Sequence, residues 1–380
     1  MSDSLQLSLD LSAVPSQPVG AGRYAVALAR ALTRRDDVSV TMWARKGDER
    51  RWRELVPDAT VQPSFAPEPR PVRLAWEQVR LPGLLRHAEV DVHHGPHYTM
   101  PRRSPVPTVV TVHDMTFFDD PQWHERSKVY VFRHAINVAA RHASAIVCVS
   151  KSTGRRFEEL CHPRSKIFVA PHGVDHERFR PEEQDHGFDE SSLRNLSVRQ
   201  PYVLFLGTLE PRKAVPELIA AFDRIARSRR GLSLVLAGRP GWGAADVEVA
   251  LARSSHKDRV RRLGYVADEM LPSLLRRAEV VAYPSREEGF GLPALEALAC
   301  GSALVTSEGT VMAELAGEAA FLAKPGSVDD LAEALSRALD SAGDPLRRRL
   351  GLEIAGRYTW EKSAEGHMSA YRWAMEARGG

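Results

Sequence analysis

At 380 residues the chain exceeds one ordinary hydrophobic core and predicts two domains, and its 43% hydrophobic and 27% charged content is that of a soluble globular protein. The net charge of +3, from 52 basic against 49 acidic residues, is too balanced to imply a nucleic-acid partner. No apolar run approaches the ~18 residues of a membrane span, the N-terminus lacks a signal-peptide pattern, and three cysteines (Cys148, Cys161, Cys300) cannot all pair, so reduced, inert thiols and a cytoplasmic location are expected.

In chain order, Leu5 to Leu11 predicts a first strand, and a loop with Pro15 and Pro18 leads to Gly20-Ala21-Gly22-Arg23-Tyr24-Ala25. Tyr24 to Leu32 has a helical pattern, Val38 to Trp43 that of a strand. Pro71 to Leu81 predicts a helix with Val72, Leu74, Val79 and Leu81 among its apolar positions, broken by Pro82-Gly83 before Leu84 to Arg86. Strands at Val90 to His93, Thr108 to His113, Ala145 to Val149 and Lys166 to Ala170 alternate with helices over about Glu125 to Arg141 and Thr153 to Leu160. This predicts one doubly wound parallel domain over residues 1–180. Glu182, Glu183, Asp185, Asp189 and Glu190, without periodic apolar positions, predict a linker over 181–200. A second alternation fills 201–357, with strands at Tyr202 to Leu206, Leu232 to Ala237, Val260 to Leu263, Val280 to Tyr283, Ala303 to Thr306 and Ala320 to Ala323. Helices are expected over Val215 to Arg227, after a cap at Asp268, and from Pro293 to a C′ glycine at Gly301. Residues 358–380 predict a terminal helix whose Trp360, Met368, Tyr371 and Trp373 offer a docking face.

The most informative stretch is Glu288-Gly-Phe-Gly-Leu-Pro-Ala-Leu-Glu296. It follows an apolar strand and opens a helix at that strand's C-terminal end, where an open α/β sheet binds phosphate. Glu288 and Glu296 flank this anion site, and carboxylates accept hydrogen bonds from sugar hydroxyls, so a nucleotide sugar suits both features. Gly207-Thr208-Leu-Glu-Pro-Arg212-Lys213 puts a forked and a point cation at another strand end, as a diphosphate requires; a solvated basic turn is the plain alternative. Gly20 and Gly22 are poor as a dinucleotide fingerprint, because the loop from Ser12 to Val19 is long and Arg45-Lys46, not an acid, ends the next strand. They read better as a loop whose amides face a ligand, or as a structural turn. His113-Asp114 ends a strand where polar residues face a cleft. His93, His94 and His97 cluster without helical metal-ligand spacing, leaving supporting, acceptor-side or exposed roles. Arg70, Arg73, Arg80 and Arg86 surround an apolar face with Trp76; packing on its own sheet is the plainer reading, contact with an anionic membrane or lipid diphosphate the other.

Together these stretches resemble the retaining GT-B glycosyltransferases of family 4. The resemblance rests on Glu288 to Glu296 as E-x7-E, Gly207 to Lys213 as G-T-x-x-P-R-K, Gly20 to Tyr24, His113-Asp114 and Pro171-His-Gly-Val-Asp175. It implies two Rossmann-like domains facing a cleft, the acceptor held by the first, the donor by the second, and the terminal helix crossing back. It further implies that Arg212 and Lys213 neutralise the donor diphosphate, Glu296 binds the ribose, and Glu288 with Phe290, Gly291 and Leu292 holds the donor sugar. Tyr265 and Val266 meet the base, and His113 lies at the reacting face; His113 and Glu288 are the catalytic candidates. No D-x-D motif is present, so no metal or other cofactor is expected; Ala214 stands where relatives often carry Asn. Trp76-Glu77-Gln78 resembles a subset building bacterial cell-surface glycans. GDP-mannose is then the favoured donor, with UDP-sugars the alternative, and a saccharide or lipid-linked saccharide the acceptor, with peripheral contact at the inner membrane face. A nucleotide-sugar 2-epimerase, an NADP-dependent oxidoreductase built on Gly20 to Ala25, and a non-catalytic sugar-nucleotide subunit are the other readings.

Overall fold

The structure is a computed structural model and describes residues 4–181, 186–341 and 343–379. Glu182, Glu183 and Asp185 of the expected linker lie outside the described residues. The chain divides into two compact units: unit 1 is Met1–Pro121, Arg126–Gly173 and Thr359–Gly380, and unit 2 is Gln122–Glu125 and Val174–Tyr358. Among the described residues, no helix is long and apolar enough to cross a membrane.

Unit 1 is built on seven parallel strands: β1 (Leu5–Asp10), β2 (Val38–Arg45), β3 (Thr60–Ala66), β4 (Val92–Gly95), β5 (Thr108–Val112), β6 (Ala145–Cys148) and β7 (Lys166–Val169), in the order β3-β2-β1-β4-β5-β6-β7. The order reverses between β1 and β4, which makes that pair's C-terminal end the switch point where a doubly wound sheet opens to a ligand. Residues paired in register share a face, so Ser8 lies with His93 and Leu9 with His94. Two consecutive histidines therefore serve opposite sides of the sheet.

On the His94 side, the helices Ala21–Thr33 and Trp360–Gly379 cover the strands. The terminal helix buries Ala364, His367, Met368, Tyr371 and Ala374, a helical stripe, whereas Trp373 stays 39% exposed beneath Lys166. Burial lowers the His94 and His367 pKa values, that of His367 to about 4, so both rings are neutral at pH 7. One chain of hydrogen bonds then has a single consistent direction. His367 Nδ1–H donates to Ser363 O at 2.7 Å, which leaves Nε2 to accept from Tyr24 O–H at 2.8 Å. Tyr24 accepts from Thr111 O–H at 2.9 Å, Thr111 from His94 Nε2–H at 2.8 Å, and His94 Nδ1 from Tyr371 O–H at 2.8 Å. Tyr24, wholly buried, thus ties the terminal helix to β4 and β5.

On the His93 side lies the helix Arg70–Val79, and its orientation corrects the sequence reading. Val72 and Val79 are 54% and 75% exposed, while Arg73, Trp76 and Glu77 are buried. Trp76 packs with Trp43, Leu81 and Leu85, and this aromatic anchor turns Arg73 and Glu77 inward with it. The break also falls earlier than Pro82: Val79 ends one helix, and Leu81–His87 starts another with Pro82 inside its first turn. A proline lacks an N–H that a first turn does not use, so it starts a helix more readily than it continues one.

Unit 2 carries β8 (Tyr202–Leu206), β9 (Ser233–Ala237), β10 (Val260–Gly264), β11 (Val280–Tyr283), β12 (Leu304–Ser307) and β13 (Ala320–Ala323), all parallel, in the order β10-β9-β8-β11-β12-β13. Its switch point lies between β8 and β11. The stretch read as linker includes a helix, His186–Asn195, whose fully buried Asp189 forms a two-pronged ion pair with Arg276 at 2.6 and 2.9 Å. Asp268 begins a 3-10 turn ahead of the helix Leu271–Arg276, whose N-cap position is held by Met270. Gly301 has φ +75° and closes the helix Leu292–Ala299 with Gly301 N–H to Leu298 O and Ser302 N–H to Ala297 O, both 3.0 Å. Cys148 and Cys300 are buried free thiols whose pKa values burial pushes up.

Tyr24→Phe removes the hydroxyl in the middle of the directed chain and leaves buried partners on both sides unmatched. It is expected to cost about 1–3 kcal/mol in urea unfolding and to raise hydrogen exchange in the helix Trp360–Gly379.

Candidate active site

The loop after β8 is shaped by backbone contact. Gly207 has φ +155°, and a Cβ on Gly238 would lie 1.9 Å from Gly207 O, so the loop beginning at Gly238 presses main chain against main chain. Gly241 repeats the contact on Leu209 O at 2.8 Å, and Leu209 bridges to Pro240. The chain then makes a 3-10 turn, Pro211–Lys213, and enters the helix Val215–Ala226 through Ala214 at φ +51°. The left-handed conformation favours glycine or asparagine at this position, and alanine is strained there.

Arg212 and Lys213 project from this turn toward the loop after β11. Arg212 Nη1 lies 2.7 Å from Glu288 Oε1 and donates to Glu287 O at 3.2 Å; its Nε donates to Glu210 Oε2 at 3.1 Å. Lys213 Nζ donates to Glu288 Oε1 and to Tyr283 Oη, and lies 4.5 Å above the Tyr283 ring. Arg286 N–H donates to Arg212 O at 2.8 Å, joining the two loops through main chain as well. Burial alone would raise the Glu288 carboxyl, but Arg212 and Lys213 outweigh it and hold it at about 2. Burial first, then Arg212, pull Lys213 down to about 8 against the opposing pull of Glu288. The result is a cluster of two cations and two carboxylates at the β8/β11 switch point, with Lys213 and Glu288 buried and Arg212 and Glu210 at its more exposed side.

Gly291, φ +93°, starts the helix Leu292–Ala299, and a Cβ there would meet Met312 Cγ at 2.4 Å. Phe290 is buried edge-on to Tyr358 at 5.8 Å between centroids, Leu292 is half-buried, and Glu296, 3% exposed, lies in the helix interior. Thr208 is half-buried beside Gly207. Tyr265 and Val266 follow β10, two strands from β8; Val266 is buried, and Tyr265 is 39% exposed with Arg239 4.6 Å over its ring. Three residues outside the sequence reading join this region: Tyr283 and Glu210, which bind Lys213 and Arg212, and Ser285, whose buried hydroxyl has no hydrogen-bond partner among the described residues. Tyr283 carried one signal, a hydroxyl ending an apolar strand at its ligand-facing end.

The other predicted residues belong to unit 1. His113 is buried edge-on to Tyr24 at 4.9 Å, and its Nε2–H donates to Pro96 O at 2.8 Å. Burial lowers its pKa, so the neutral ring keeps Nδ1 as an acceptor. Gly20 caps the helix Ala21–Thr33 at φ +48°, whereas Gly22 is buried where a Cβ would meet Pro18 Cβ at 3.0 Å, a packing contact inside the loop.

Two Rossmann-like units, one with a basic pair, Lys213 buried and Arg212 largely so, beside carboxylates at its switch point, define a GT-B glycosyltransferase. Residues 189–355 match the family described as Glycosyl transferases group 1, and residues 18–178 match Glycosyltransferase Family 4. The chain is similar to O-antigen chain mannosyltransferase B of Escherichia coli, 30% identical over 305 residues, which is 80% of this chain and 77% of that one. In fold it is similar to sucrose-phosphate synthase of Thermosynechococcus elongatus, with a TM-score of 0.79, 19% identity, and 98% of this chain and 100% of that one covered. It is likewise similar to Anabaena HepE in complex with UDP-glucose, with a TM-score of 0.70, 20% identity, and 96% and 98% covered. The chain belongs to glycosyltransferase family 4, and it is a glycosyltransferase.

Two outcomes follow from the cluster. Nucleoside diphosphate affinity, measured by calorimetry, should fall as pH rises through about 8, because the free site loses the Lys213 proton there, and this limb should be absent in Lys213→Met. Ala214→Gly should raise the unfolding free energy measured in urea by about 0.5–1 kcal/mol, as the left-handed strain is relieved at some entropic cost.

Proposed function

We propose that the enzyme transfers a hexose, with retention of anomeric configuration and without a metal, from a nucleotide diphosphate sugar to a hydroxyl of a saccharide or lipid-linked saccharide in cell-surface glycan synthesis. The carrying observation is the placement of Arg212 and Lys213 together at the β8/β11 switch point, desolvated and held by Glu288. A departing diphosphate develops negative charge there, and preorganised cations in a dry site stabilise it without a bound metal. Glu288, ionised across the physiological range by those cations, serves as counter-ion and sugar-hydroxyl acceptor; a group held at about 2 is a poor general base at neutral pH. The acceptor hydroxyl then loses its proton to the leaving phosphate in a same-face attack. Neutral His113, with Nδ1 as acceptor, positions a hydroxyl at the reacting face.

GDP-mannose is the donor we favour, and the name of the similar Escherichia coli enzyme, a mannosyltransferase, supports it. The cytoplasmic face of the membrane, with peripheral contact, is the location that fits a lipid-linked acceptor.

Incubation with GDP-mannose, UDP-glucose and other nucleotide sugars, with and without saccharide acceptors, tests the proposal by proton NMR. The expected product keeps the donor's anomeric configuration and forms in EDTA. Lys213→Ala should lower kcat/KM by about 10²–10³, the range for losing one preorganised charge donor. An epimerised nucleotide sugar formed without acceptor would sink the transferase mechanism.

A further inference from the structure

The face of unit 1 under the helix Arg70–Val79 holds polar groups that the core does not need. Asp10 ends β1 and His93 lies in β4, on one face at the β1/β4 switch point. Asp10, Arg73, Glu77, His93 and Ser12 are 5%, 8%, 1%, 0% and 0% exposed. Side chains of these types are buried only at a cost unless they are paired.

Some of that cost is met locally. Ser8 Oγ bonds His93 Nδ1 at 2.8 Å, Ser12 N–H donates to Asp10 Oδ1 at 2.9 Å, and Glu77 accepts from Thr99 Oγ1 at 2.6 Å and Gln78 Nε2 at 2.9 Å. Arg45 holds the following loop through Ser12 O at 2.8 Å. The rest is unmet. His93 Nε2 and Ser12 Oγ are buried without a hydrogen-bond partner among the described residues. Nor does any hydrogen bond or short ion pair engage the Arg73 guanidinium among them; Asp10 and Glu77 act on it only at longer range. A helix that exposes Val72 and Val79 while burying Arg73 and Glu77 breaks the usual pattern, and such breaks mark function more often than packing.

We propose that Asp10, Ser12, Arg73, Glu77 and His93 form a binding site for vicinal hydroxyls of an uncharged saccharide, the terminal sugar of the acceptor. The assignment rests on the transferase reading given above. Two carboxylates around one guanidinium repel a phosphate but suit a diol, whose hydroxyls donate to the carboxylates while accepting from Arg73. His93 Nε2 and the Ser12 hydroxyl supply further directed contacts at the sugar's edge. Burial first, and Asp10 second, push Glu77 up to about 7, so this carboxyl is available in both protonation states near neutral pH.

The test is saturation-transfer NMR on the whole enzyme with methyl α-D-mannopyranoside, methyl α-D-glucopyranoside and α-mannobiose as neutral probes, and mannose 6-phosphate as the anionic one. The nucleoside diphosphate signal is recorded alongside as the reference for unit 2. At least one neutral glycoside should bind saturably, and Asp10→Asn, Arg73→Met and the isosteric Glu77→Gln should each weaken it at least tenfold. If substitution unfolds unit 1, the ¹⁵N-histidine spectrum of the unsubstituted enzyme decides: the His93 Nε2 resonance should shift on titration with the neutral glycoside. The proposal is overturned by absence of saturable neutral-glycoside binding, by binding that the folded variants leave unchanged, by an unmoved His93 resonance, or by tighter binding of mannose 6-phosphate that Arg73→Met abolishes. Failure of the transferase reading would show separately, as no nucleoside diphosphate signal in any protein.

Discussion

Lys213 reaches the interior of unit 2 in the company of Glu288, and much of the architecture around the loops after β8 and β11 follows from that pairing. An ammonium and a guanidinium side by side repel each other and lose hydration; one carboxylate contacting both makes their burial tolerable. The carboxylate needs a loop after β11 that returns toward β8, and the main-chain bond from Arg286 to Arg212 sets its path. Gly291 then allows the chain to turn into a helix directly against Met312. Charges held aligned by such contacts need little reorganisation when an anion approaches them.

Unit 1 solves a different problem, that of retaining a segment separated by the whole of unit 2 in sequence. Apolar packing by Met368 and Ala374 would hold a helix in many rotational settings. The directed bonds through Tyr24, Thr111 and His94 accept one setting, because sliding the terminal helix breaks donors and acceptors together. Tyr24 comes from the glycine-rich loop's own motif and is buried core, so that motif contributes to helix anchoring as well as to the turn at Gly20.

Most of the parallel alternation is legible in the sequence because strands buried on both faces appear as uninterrupted Val, Leu, Ile and Ala runs. β3 is not, since Thr60–Ala66 contains Pro63 and is tolerated only because it is an edge strand. The helix Val328–Asp340 had a readable start in Ser327-x-x-Asp330, where the Ser327 hydroxyl accepts from Asp330 N–H at 3.2 Å, but its apolar stripe is mostly alanine and leucine and gives little contrast. At the site, Arg212, Lys213 and Glu288 are legible by type and position. Their direct contact is not, because it depends on β8 and β11 being neighbours although two other strands separate them in sequence. Val72 and Val79 were read as apolar positions of the helix, yet they are exposed while Arg73 and Glu77 are buried, because periodicity counts hydrophobicity whereas Trp76 decides which side goes in.

His93 and His94 are joined by one peptide bond and belong to separate economies of the fold, one to the face under Arg73 and Glu77, the other to the terminal helix. Because strand side chains alternate strictly, adding or removing one residue within β4 would exchange them, presenting each imidazole to the other's partners. Substitutions can therefore diversify either face independently, while the length of β4 is locked by both at once. A lineage of such enzymes is free to change side chains around this strand, but insertions that alter its count are closed to it.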